Sequence, residues 1–239
     1  MCEIMLTRGT LFGVGVGPGD PELITLKALK IIENADIIAL PKTDEQHITA
    51  LEIVKAAVDI SQKEMIELYL PMTKNQDTLQ LSHQKAASDI GRLLDEGKNV
   101  AFLTLGDPSI YSTYIYIHNI LREDGFQVQL IPGVPSFCAV AARLNTSLCK
   151  GSEPLHIIPA SYQDDEGYLD WSGTKILMKS GKSLNKVMEN LKRKNLLHSS
   201  FMVERCGMAG EKVYTDLTDV KTETSYFSTI VVKEKEKEE

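Results

Sequence analysis

The first half of this 239-residue chain alternates short apolar runs with amphipathic segments. We interpret the runs as strands, and they are Leu11–Val16, Asp36–Leu40, Met65–Leu70, Asn99–Leu105 and Gln127–Ile131. The apolar positions of the first amphipathic segment recur with helical spacing, and they are Ile24, Ala28, Ile31, Ile32 and Ala35. A chain that repeats strand and helix in this way is typical of the α/β class, with a mostly parallel sheet covered by helices.

The second half has a different pattern, because its strand-like runs surround only one strong helical segment, Ser183–Lys194. The runs are Leu155–Ile158, Lys175–Met178, Ser200–Glu204, Lys212–Thr215 and Tyr226–Val232. Few crossover helices favour a mixed sheet over a parallel one.

We therefore predict an N-terminal α/β domain over residues 1–134 and a C-terminal α/β domain with a mixed sheet over residues 135–232. A helical stretch at Phe137–Leu144 and the Gly/Ser/Pro-rich segment that follows it mark the passage between them. The last residues, 233–239, alternate charges without an apolar side chain, so we expect a flexible tail.

Composition excludes several classes of protein. The chain is 43% hydrophobic and 25% charged, and it has no apolar run of the roughly 20 residues that would span a bilayer. Its N-terminus lacks the features of a signal peptide, and we expect a cytoplasmic protein without a membrane partner. A formal net charge of −7 argues against nucleic acid as a partner. The four cysteines lack zinc-ligand spacing, so we predict no metal.

The loop after the first strand resembles a dinucleotide fingerprint in its glycines but not in its other residues. Pro18 lacks an N–H group that a phosphate would need, and Asp20, Pro21 and Glu22 form a helix N-terminal signature with its own negative charge. Because carboxylates at this end of a helix compete with pyrophosphate, the sequence disfavours NAD or a nucleoside triphosphate.

Two further strand ends repeat this chemistry. A Gly-Asp-Pro loop at residues 106–108 precedes a helical face, and a third loop reads IPGVPS over residues 131–136. The helical face contains Ile110, Tyr114, Ile117 and Leu121. In open α/β sheets such strand ends meet at one edge and form the ligand site. Glycines and carboxylates without phosphate donors suit a ligand with a ribose and a cationic centre, such as S-adenosylmethionine.

Several of these stretches are similar to the tetrapyrrole methylase family. They are GTLFGVGVGPGDPELITLKALKIIENADIIALPK, FLTLGDPSIYSTYIYI and IPGVPSFCAVAARLN. Within the family, LYLPMTKNQDT resembles the precorrin-2 C20-methyltransferases, which act on precorrin-2 or its cobalt complex in corrin (vitamin B12) biosynthesis. The resemblance implies S-adenosylmethionine as methyl donor, S-adenosylhomocysteine as product, a tetrapyrrole substrate, and a homodimer that holds the cofactor in a cleft between two α/β domains.

The same resemblance implies a set of cofactor-binding residues. They are Pro18, Leu105, Gly106, Asp107, Ile110, Pro135, Ser136, Met178, Met208, Ala209 and Thr229. Many relatives have Gly-Gly-Asp-Pro where this chain has Leu105 before Gly106, so any role of Leu105 rests on its backbone.

Catalysis by alignment of two bound reactants requires no triad or metal. The titratable residues near the predicted loops are Asp107, Tyr111, His47, His118 and Glu204, and the sequence does not choose a general base among them. Asp107 and Tyr111 are the candidate catalytic residues, although Asp107 fits a cofactor ligand better. A rim for substrate carboxylates would use basic residues near strand ends, namely Lys42, Arg143, Lys150 and Lys179.

Three alternatives stay open at this point. Another tetrapyrrole methylase of the family would act on a different corrin carbon or on uroporphyrinogen III, and more distant members act on diphthine precursors or ribosomal RNA. An NAD(P)-dependent oxidoreductase would need an acidic residue at the end of the second strand, where Leu40-Pro41-Lys42 stands instead. A non-enzymatic ligand-binding module would bind the cofactor without turnover.

Overall fold

The computed structural model of the chain describes residues 7–42, 46–162, 166–180, 183–218, 220 and 227–234. These residues form two compact units that divide between Pro135 and Ser136. Each unit is a five-stranded sheet with helices packed against it. The predicted tail at 233–239 lies outside the described residues except for Lys233 and Glu234.

Unit 1 contains an all-parallel sheet in the order β3-β2-β4-β1-β5. Its strands are β1 (Thr10–Gly15), β2 (Ile37–Lys42), β3 (Glu64–Tyr69), β4 (Val100–Thr104) and β5 (Gln127–Ile131). Its helices are α1 (Leu26–Asn34), α2 (Gln46–Ala57), α3 (Gln76–Asp95) and α4 (Tyr114–Glu123). Parallel strands need a crossover between them, and each helix supplies one.

The helices of unit 1 cover opposite faces of this sheet. α1 and α2 pack one apolar cluster with residues such as Ile32 and Val54, whereas α3 and α4 pack the other with residues such as Ile90 and Leu121. The chain therefore leaves β1 towards β2 on one face and leaves β4 towards β5 on the other. The neighbouring strands β1 and β4 mark the point where the direction of the connections reverses.

Gly13 on β1 gives space to a large side chain of α4. A Cβ atom at Gly13 would lie 2.1 Å from Cε1 of Tyr114, whose ring is fully buried. The Tyr114 hydroxyl lies 3.1 Å from Nδ1 of His118 and 3.3 Å from the carbonyl oxygen of Gln129. The ring therefore fixes α4 against the sheet through packing and hydrogen bonding.

Unit 2 contains a mixed sheet in the order β6-β7-β10-β8-β9, in which β6 and β7 pair in parallel and the other described pairs are antiparallel. Its strands are β6 (Leu155–Pro159), β7 (Thr174–Met178), β8 (Ser200–Glu204), β9 (Lys212–Tyr214) and β10 (Ser228–Val232). Its helices are α5 (Ser136–Arg143), which contacts β10, and α6 (Leu184–Arg193). Leu184, Val187 and Leu191 of α6 pack one buried cluster against the sheet.

The structure confirms the predicted fold class, with two α/β units, a parallel first sheet and a mixed second sheet. Two local predictions are wrong. Asp20 does not cap a long helix but a single 3₁₀ turn (Pro21–Leu23), and α1 begins at Leu26 with Thr25 as its cap. Ile110 does not belong to α4, because it lies in a turn before Tyr111, whose φ of 49° interrupts the helical path. Among the described helices, each is too short or too polar to cross a membrane.

Candidate functional site

The carboxyl ends of β1 and β4 are joined by a small backbone bridge. Gly106 N donates to Gly17 O at 2.8 Å, and Gly17 N donates to Gly106 O at 3.3 Å. Both glycines have positive φ, 80° at Gly17 and 73° at Gly106, which a residue with a Cβ rarely adopts. The bridge lies at the reversal point of the sheet, where open α/β folds bind their ligands.

Two other glycines bring the third loop against this bridge. A Cβ atom at Gly133 would lie 2.2 Å from the carbonyl oxygen of Gly106, and one at Gly15 would lie 2.6 Å from the same oxygen and from Gly133 N. Such distances leave no room for any side chain. These glycines therefore allow one loop to pack on another. Their sequence pattern indicated a ligand site and did not predict this packing role.

Asp107 connects the second and third loops. One carboxylate oxygen, Oδ2, accepts a hydrogen bond from Gly133 N at 3.0 Å, while Oδ1 accepts from the amide of Ser109 at 2.8 Å and from its hydroxyl. A carboxylate has about four acceptor positions, so one remains for a further donor. Asp107 is thus a structural residue of the loop edge that retains capacity to bind a ligand hydroxyl or amine.

The first loop offers little to a phosphate. Asp20 Oδ1 accepts from Glu22 N at 2.9 Å, so the negative charge sits on the amides that begin the 3₁₀ turn. Pro18 is buried and contributes no N–H group. The start of α1 is also capped, because Thr25 Oγ1 accepts from Ala28 N at 3.1 Å. The helix start was predicted five residues too early, but its consequence stands, because the 3₁₀ turn and α1 both begin with a side-chain cap on an amide that a phosphate would need.

One buried hydroxyl at this edge has no protein partner. Among the described residues, only Thr104 Oγ1 and His83 Nε2 are buried side-chain polar atoms without a hydrogen bond. Thr104 ends β4, is paired with Gly15 of β1, and lies two residues before Gly106 of the bridge. Burying an unpaired hydroxyl costs about 1–3 kcal/mol, so Thr104 is a buried polar atom at the reversal point that retains capacity for a further hydrogen bond.

Tyr111 follows the Gly-Asp-Pro loop in a strained conformation. Its φ is 49°, which is unusual for a bulky residue, and its side chain is 43% exposed. Burial raises the pKa of its phenol. Tyr111 therefore keeps its proton at neutral pH and can donate a hydrogen bond there, but it is a poor base.

The other predicted titratable residues lie in structural networks. His118 is buried against Tyr114, and burial together with Arg122 lowers its pKa, so it stays neutral. Glu204 is buried and accepts a hydrogen bond from the Tyr214 hydroxyl at 3.1 Å. The side chain of His47 lies outside what the structure describes.

In unit 2 the remaining predicted residues gather at one edge of the sheet. Thr229 on β10 is paired with Val203 of β8, and continuing the pairing of Ile230 with Leu177 brings Thr229 opposite Met178 at the end of β7. Ser136 Oγ, at the start of α5, lies 3.4 Å from Thr229 Oγ1. Met208 and Ala209 follow β8 at the same edge, in the loop before β9.

The residues predicted to form a basic rim have different surroundings. Lys42 forms an ion pair with Glu67 at 2.6 Å, and Arg143 forms one with Glu211. Lys150 is exposed. Lys179 follows Met178 with a φ of 55°, and burial lowers the pKa of its amine. Lys179 is therefore the predicted basic residue whose environment differs most from that of a solvated lysine.

Sequence reasoning did not single out two residues at these edges, Thr104 and Glu211. Thr104 is one residue before the predicted set, and only its missing partner in the folded chain distinguishes it. Glu211 is 68 residues from Arg143 in the sequence, so no local pattern connects them. Among the described residues no group of three or more His, Cys, Asp or Glu side chains could hold a metal ion.

The polar groups of each edge, taken by itself, suit a cofactor without phosphate. Unit 1 offers the carboxylate of Asp107, the unpaired buried hydroxyl of Thr104 and the capped start of α1. Unit 2 offers two hydroxyls, Ser136 and Thr229, beside the thioether of Met178. Carboxylates and hydroxyls suit ribose and amino groups, and thioethers and carboxylates tolerate a cationic centre. This chemistry matches the donors that S-adenosylmethionine requires and is poor for pyrophosphate.

Comparison with known proteins agrees with this chemistry. The family model "Tetrapyrrole (Corrin/Porphyrin) Methylases" matches residues 10–221. A probable cobalt-precorrin-2 C(20)-methyltransferase of Methanocaldococcus jannaschii is 37% identical over 204 residues, which cover 85% of each chain. Cobalamin biosynthesis protein CobIJ of Mycobacterium tuberculosis is 34% identical over 233 residues, and the match covers 94% of this chain but only 46% of CobIJ. The chain thus spans about half the length of this relative.

A solved structure shares the fold. Uroporphyrin-III C-methyl transferase from Thermus thermophilus, complexed with S-adenyl homocysteine, superposes with a TM-score of 0.68 at 20% sequence identity. The match covers 95% of this chain and 98% of the other. Both units therefore have counterparts in a known architecture.

Proposed function

Because the chain belongs to the tetrapyrrole methylase family, whose members are S-adenosylmethionine-dependent methyltransferases, we propose that it transfers a methyl group to C20 of precorrin-2 or of cobalt-precorrin-2. This reaction belongs to corrin biosynthesis. The observation that carries the proposal is the 37% identity, over 85% of both chains, to a protein named for C20 methylation of cobalt-precorrin-2.

When bound, S-adenosylmethionine supplies an electrophilic methyl group on a positively charged sulfur. A tetrapyrrole meso carbon is electron-rich, so the residues of this chain need not generate a nucleophile. Their main task is to hold two reactants in line, which can lower a barrier by about 7–11 kcal/mol. This division of work agrees with loop edges that are rich in backbone and hydroxyl groups.

Within unit 1, the cofactor would contact the three loops at the carboxyl edge of the sheet. We propose that Asp107 accepts from a ribose hydroxyl or an ammonium group with its remaining lone pair, while its other contacts keep Gly133 and Ser109 in place. The other contacts in this unit would come from Pro18, Leu105, Gly106, Ile110 and Pro135. Thr104 is a further candidate, since a polar ligand atom would satisfy its hydroxyl.

Within unit 2, the cofactor would contact Ser136, Met178, Thr229 and the loop with Met208 and Ala209. The Ser136 and Thr229 hydroxyls already approach each other and offer a polar pair. Met178 offers an unbranched, polarizable surface to an apolar group.

Tyr111 of unit 1, which keeps its proton, would act as a hydrogen-bond donor rather than as the base that removes the proton of the methylated carbon.

The test is a methyl-transfer assay with the intact chain. The protein is incubated without oxygen with precorrin-2, with or without cobalt, and S-adenosylmethionine carrying a ¹³C-methyl group, and the labelled carbon of the product is located by NMR. We expect label at C20. Label at another carbon would overturn the regiochemistry and support a sibling reaction, and methylation of uroporphyrinogen III in preference to precorrin-2 would overturn the substrate. Comparing the rates with and without cobalt identifies the natural form.

Calorimetry separates this function from the dinucleotide alternative. We expect S-adenosylhomocysteine to bind and NAD(P) to give no heat, since β2 ends at Lys42, which pairs with Glu67, and offers no carboxylate to a ribose. Binding of S-adenosylhomocysteine without methyl transfer to any tetrapyrrole would instead support a ligand-binding module. We also propose a cytoplasmic homodimer, which light scattering of the purified chain and fractionation of the cells test.

A further inference from the structure

The loop between β8 and β9, residues Arg205–Glu211, contains three residues with positive φ, of which Arg205 is unfavourable because it is not a glycine. Arg205 has a φ of 51°, Gly207 of 74° and Gly210 of 80°. A non-glycine residue such as Arg205 stays in this region only where its surroundings hold it there, and such residues cluster at ligand-binding sites. The loop contains Met208 and Ala209, which belong to the proposed cofactor site.

Hydrogen bonds within the loop fix this conformation. The side chain of Arg205 turns back and donates from Nε to the carbonyl oxygen of Ala209 at 2.7 Å. Met208 N donates to Arg205 O at 2.8 Å, and Gly207 N donates to Glu211 Oε2 at 2.8 Å. The carboxylate of Glu211 therefore supports the loop from its far end.

The other oxygen of Glu211 ties the loop to α5. Arg143, in the last turn of that helix, donates from Nε to Glu211 Oε1. The contacts of Gly207 and Arg143 lower the pKa of the Glu211 carboxyl. α5 begins at Ser136, whose hydroxyl approaches Thr229. One helix thus touches two parts of the proposed site, through Ser136 at its start and through Arg143 at its end.

We propose that the Arg143–Glu211 ion pair is a positioning pair, which holds the Arg205–Glu211 loop in its cofactor-binding form and so sets the affinity for the S-adenosyl group. The inference rests on the proposed function. Neither residue needs to touch the cofactor. Their effect passes through the backbone of the loop, because the Glu211 carboxylate binds Gly207 N directly and Arg143 holds Glu211.

The test compares Glu211→Gln and Arg143→Gln with Glu166→Gln in the intact chain. Glu166 forms an ion pair with Arg193 at 2.5 Å in the same unit, and its side chain is 26% exposed, against 21% for Glu211. The control therefore breaks an arginine–glutamate pair of similar exposure that holds no part of the proposed site. For each protein, calorimetry gives the Kd of S-adenosylhomocysteine, steady-state kinetics give KM and kcat, and thermal unfolding gives Tm.

We expect Glu211→Gln and Arg143→Gln to raise the Kd and the KM for S-adenosylmethionine about three- to fivefold while kcat changes less than about twofold, because a loop that must be ordered on binding weakens affinity. Glu166→Gln should lower Tm to a similar extent and leave Kd unchanged. Arg143→Lys, which keeps the charge, should recover part of the affinity. The comparison of Arg143→Gln with Arg143→Lys serves as the test if Glu211→Gln does not fold.

Two results would overturn the inference, and they differ in what else they overturn. A wild-type chain that binds S-adenosylhomocysteine, with variants at Arg143 and Glu211 whose Kd equals that of Glu166→Gln, removes the positioning role alone. A wild-type chain that binds no S-adenosylhomocysteine removes the proposed function and this inference with it.

Discussion

The two units build their loop edges in opposite ways. In unit 1 the loops meet backbone to backbone, and Gly15, Gly106 and Gly133 leave no space for side chains between them. In unit 2 the loop after β8 is held by side chains, with Arg205 and Glu211 bonded to its backbone and Arg143 bonded to Glu211. Close backbone packing fixes a shape that tolerates no substitution, whereas side-chain bonds fix a shape that can be weakened in steps.

The largest effect is expected where a methyl group enters the glycine contact of unit 1. Gly133→Ala places a Cβ 2.2 Å from Gly106 O, so backbone must move, and we expect a loss of unfolding free energy of about 3 kcal/mol or more. Urea unfolding measures this loss. Gly91→Ala in α3 is the matched control, because its Cβ would meet only the side chains of Leu121 and Phe126, at 3.5 Å, and it should stabilise the protein by about 0.5–1 kcal/mol. Equal effects of both variants would contradict the packing role of Gly133.

A smaller effect is expected for Asp107→Asn, which changes one bond between loops rather than their contact. The amide cannot accept from both Gly133 N and Ser109, so one donor loses its partner, at a cost of about 1–3 kcal/mol. Unfolding measures this cost, and calorimetry with S-adenosylhomocysteine measures the accompanying rise in Kd. A normal Kd at reduced stability would show that Asp107 acts only on the loops.

The units should also differ in their response to acid. Burial lowers the pKa of His83 and of His118 in unit 1, so the unfolded chain binds protons that the folded unit does not. Each histidine therefore stabilises the folded unit above its unfolded pKa of about 6.5, and this stabilisation is lost as pH falls from there towards the folded pKa. A folded pKa that lies lower by one corresponds to about 1.4 kcal/mol. Hydrogen exchange at pH 7.5 and 5.5, read by peptide, should show this weakening in α3 and α4.

Unit 2 should lose stability through Asp216 at a lower pH than unit 1 loses it through its histidines. The amide and hydroxyl of Thr218, with His198, lower the pKa of Asp216 to about 2, so its contribution to stability is present above pH 3.8 and is lost only as pH falls towards 2.

His83→Phe tests the histidine contribution in unit 1. It retains an aromatic ring against Tyr116 and removes the unpaired Nε2, so the stability of unit 1 should depend less on pH between 7.5 and 5.5. An unchanged slope would assign the effect to other groups.

The smallest effect on stability is expected for the exposed ion pairs of unit 2. Glu166→Gln and Glu211→Gln should each change the unfolding free energy by less than about 1 kcal/mol, since exposed pairs contribute little. The two variants should differ only in the Kd of S-adenosylhomocysteine, which Glu211→Gln raises and Glu166→Gln leaves unchanged. If Glu211→Gln destabilised the protein as strongly as Gly133→Ala, the two edges would not differ in the way described here.

Local patterns were sufficient to predict most of the fold. The strands Gln127–Ile131 and Ser200–Glu204 have the predicted bounds, and the other described strands differ by a few residues at their ends. These elements follow from apolar periodicity and from Gly or Pro at strand ends, which are properties of neighbouring residues. The predicted start of α1 was wrong because Asp20 and Pro21 favour the first turn of a 3₁₀ helix and of an α-helix alike. The neighbouring residues do not distinguish a single 3₁₀ turn from the start of a longer α-helix.

The interior of the candidate site was less accessible to sequence reasoning. The glycines of the first loop were visible, but their contact with Gly133 joins segments more than 100 residues apart and appears only in the folded sheet. The same holds for Arg143 and Glu211, whose contact depends on the position of α5. Which of the predicted cofactor residues bind the cofactor stays a prediction for the experiments above.

The contact between Gly13 and Tyr114 has a consequence for how this chain can change over evolution. The aromatic ring occupies the volume that a methyl group on β1 would need, so neither position can be altered freely while the other is kept. A larger residue at 13 becomes tolerable only beside a smaller one at 114, and the two should covary among relatives. The single substitutions should each be costly and the double substitution less costly than their sum, which makes this pair a gauge of epistasis in the first unit.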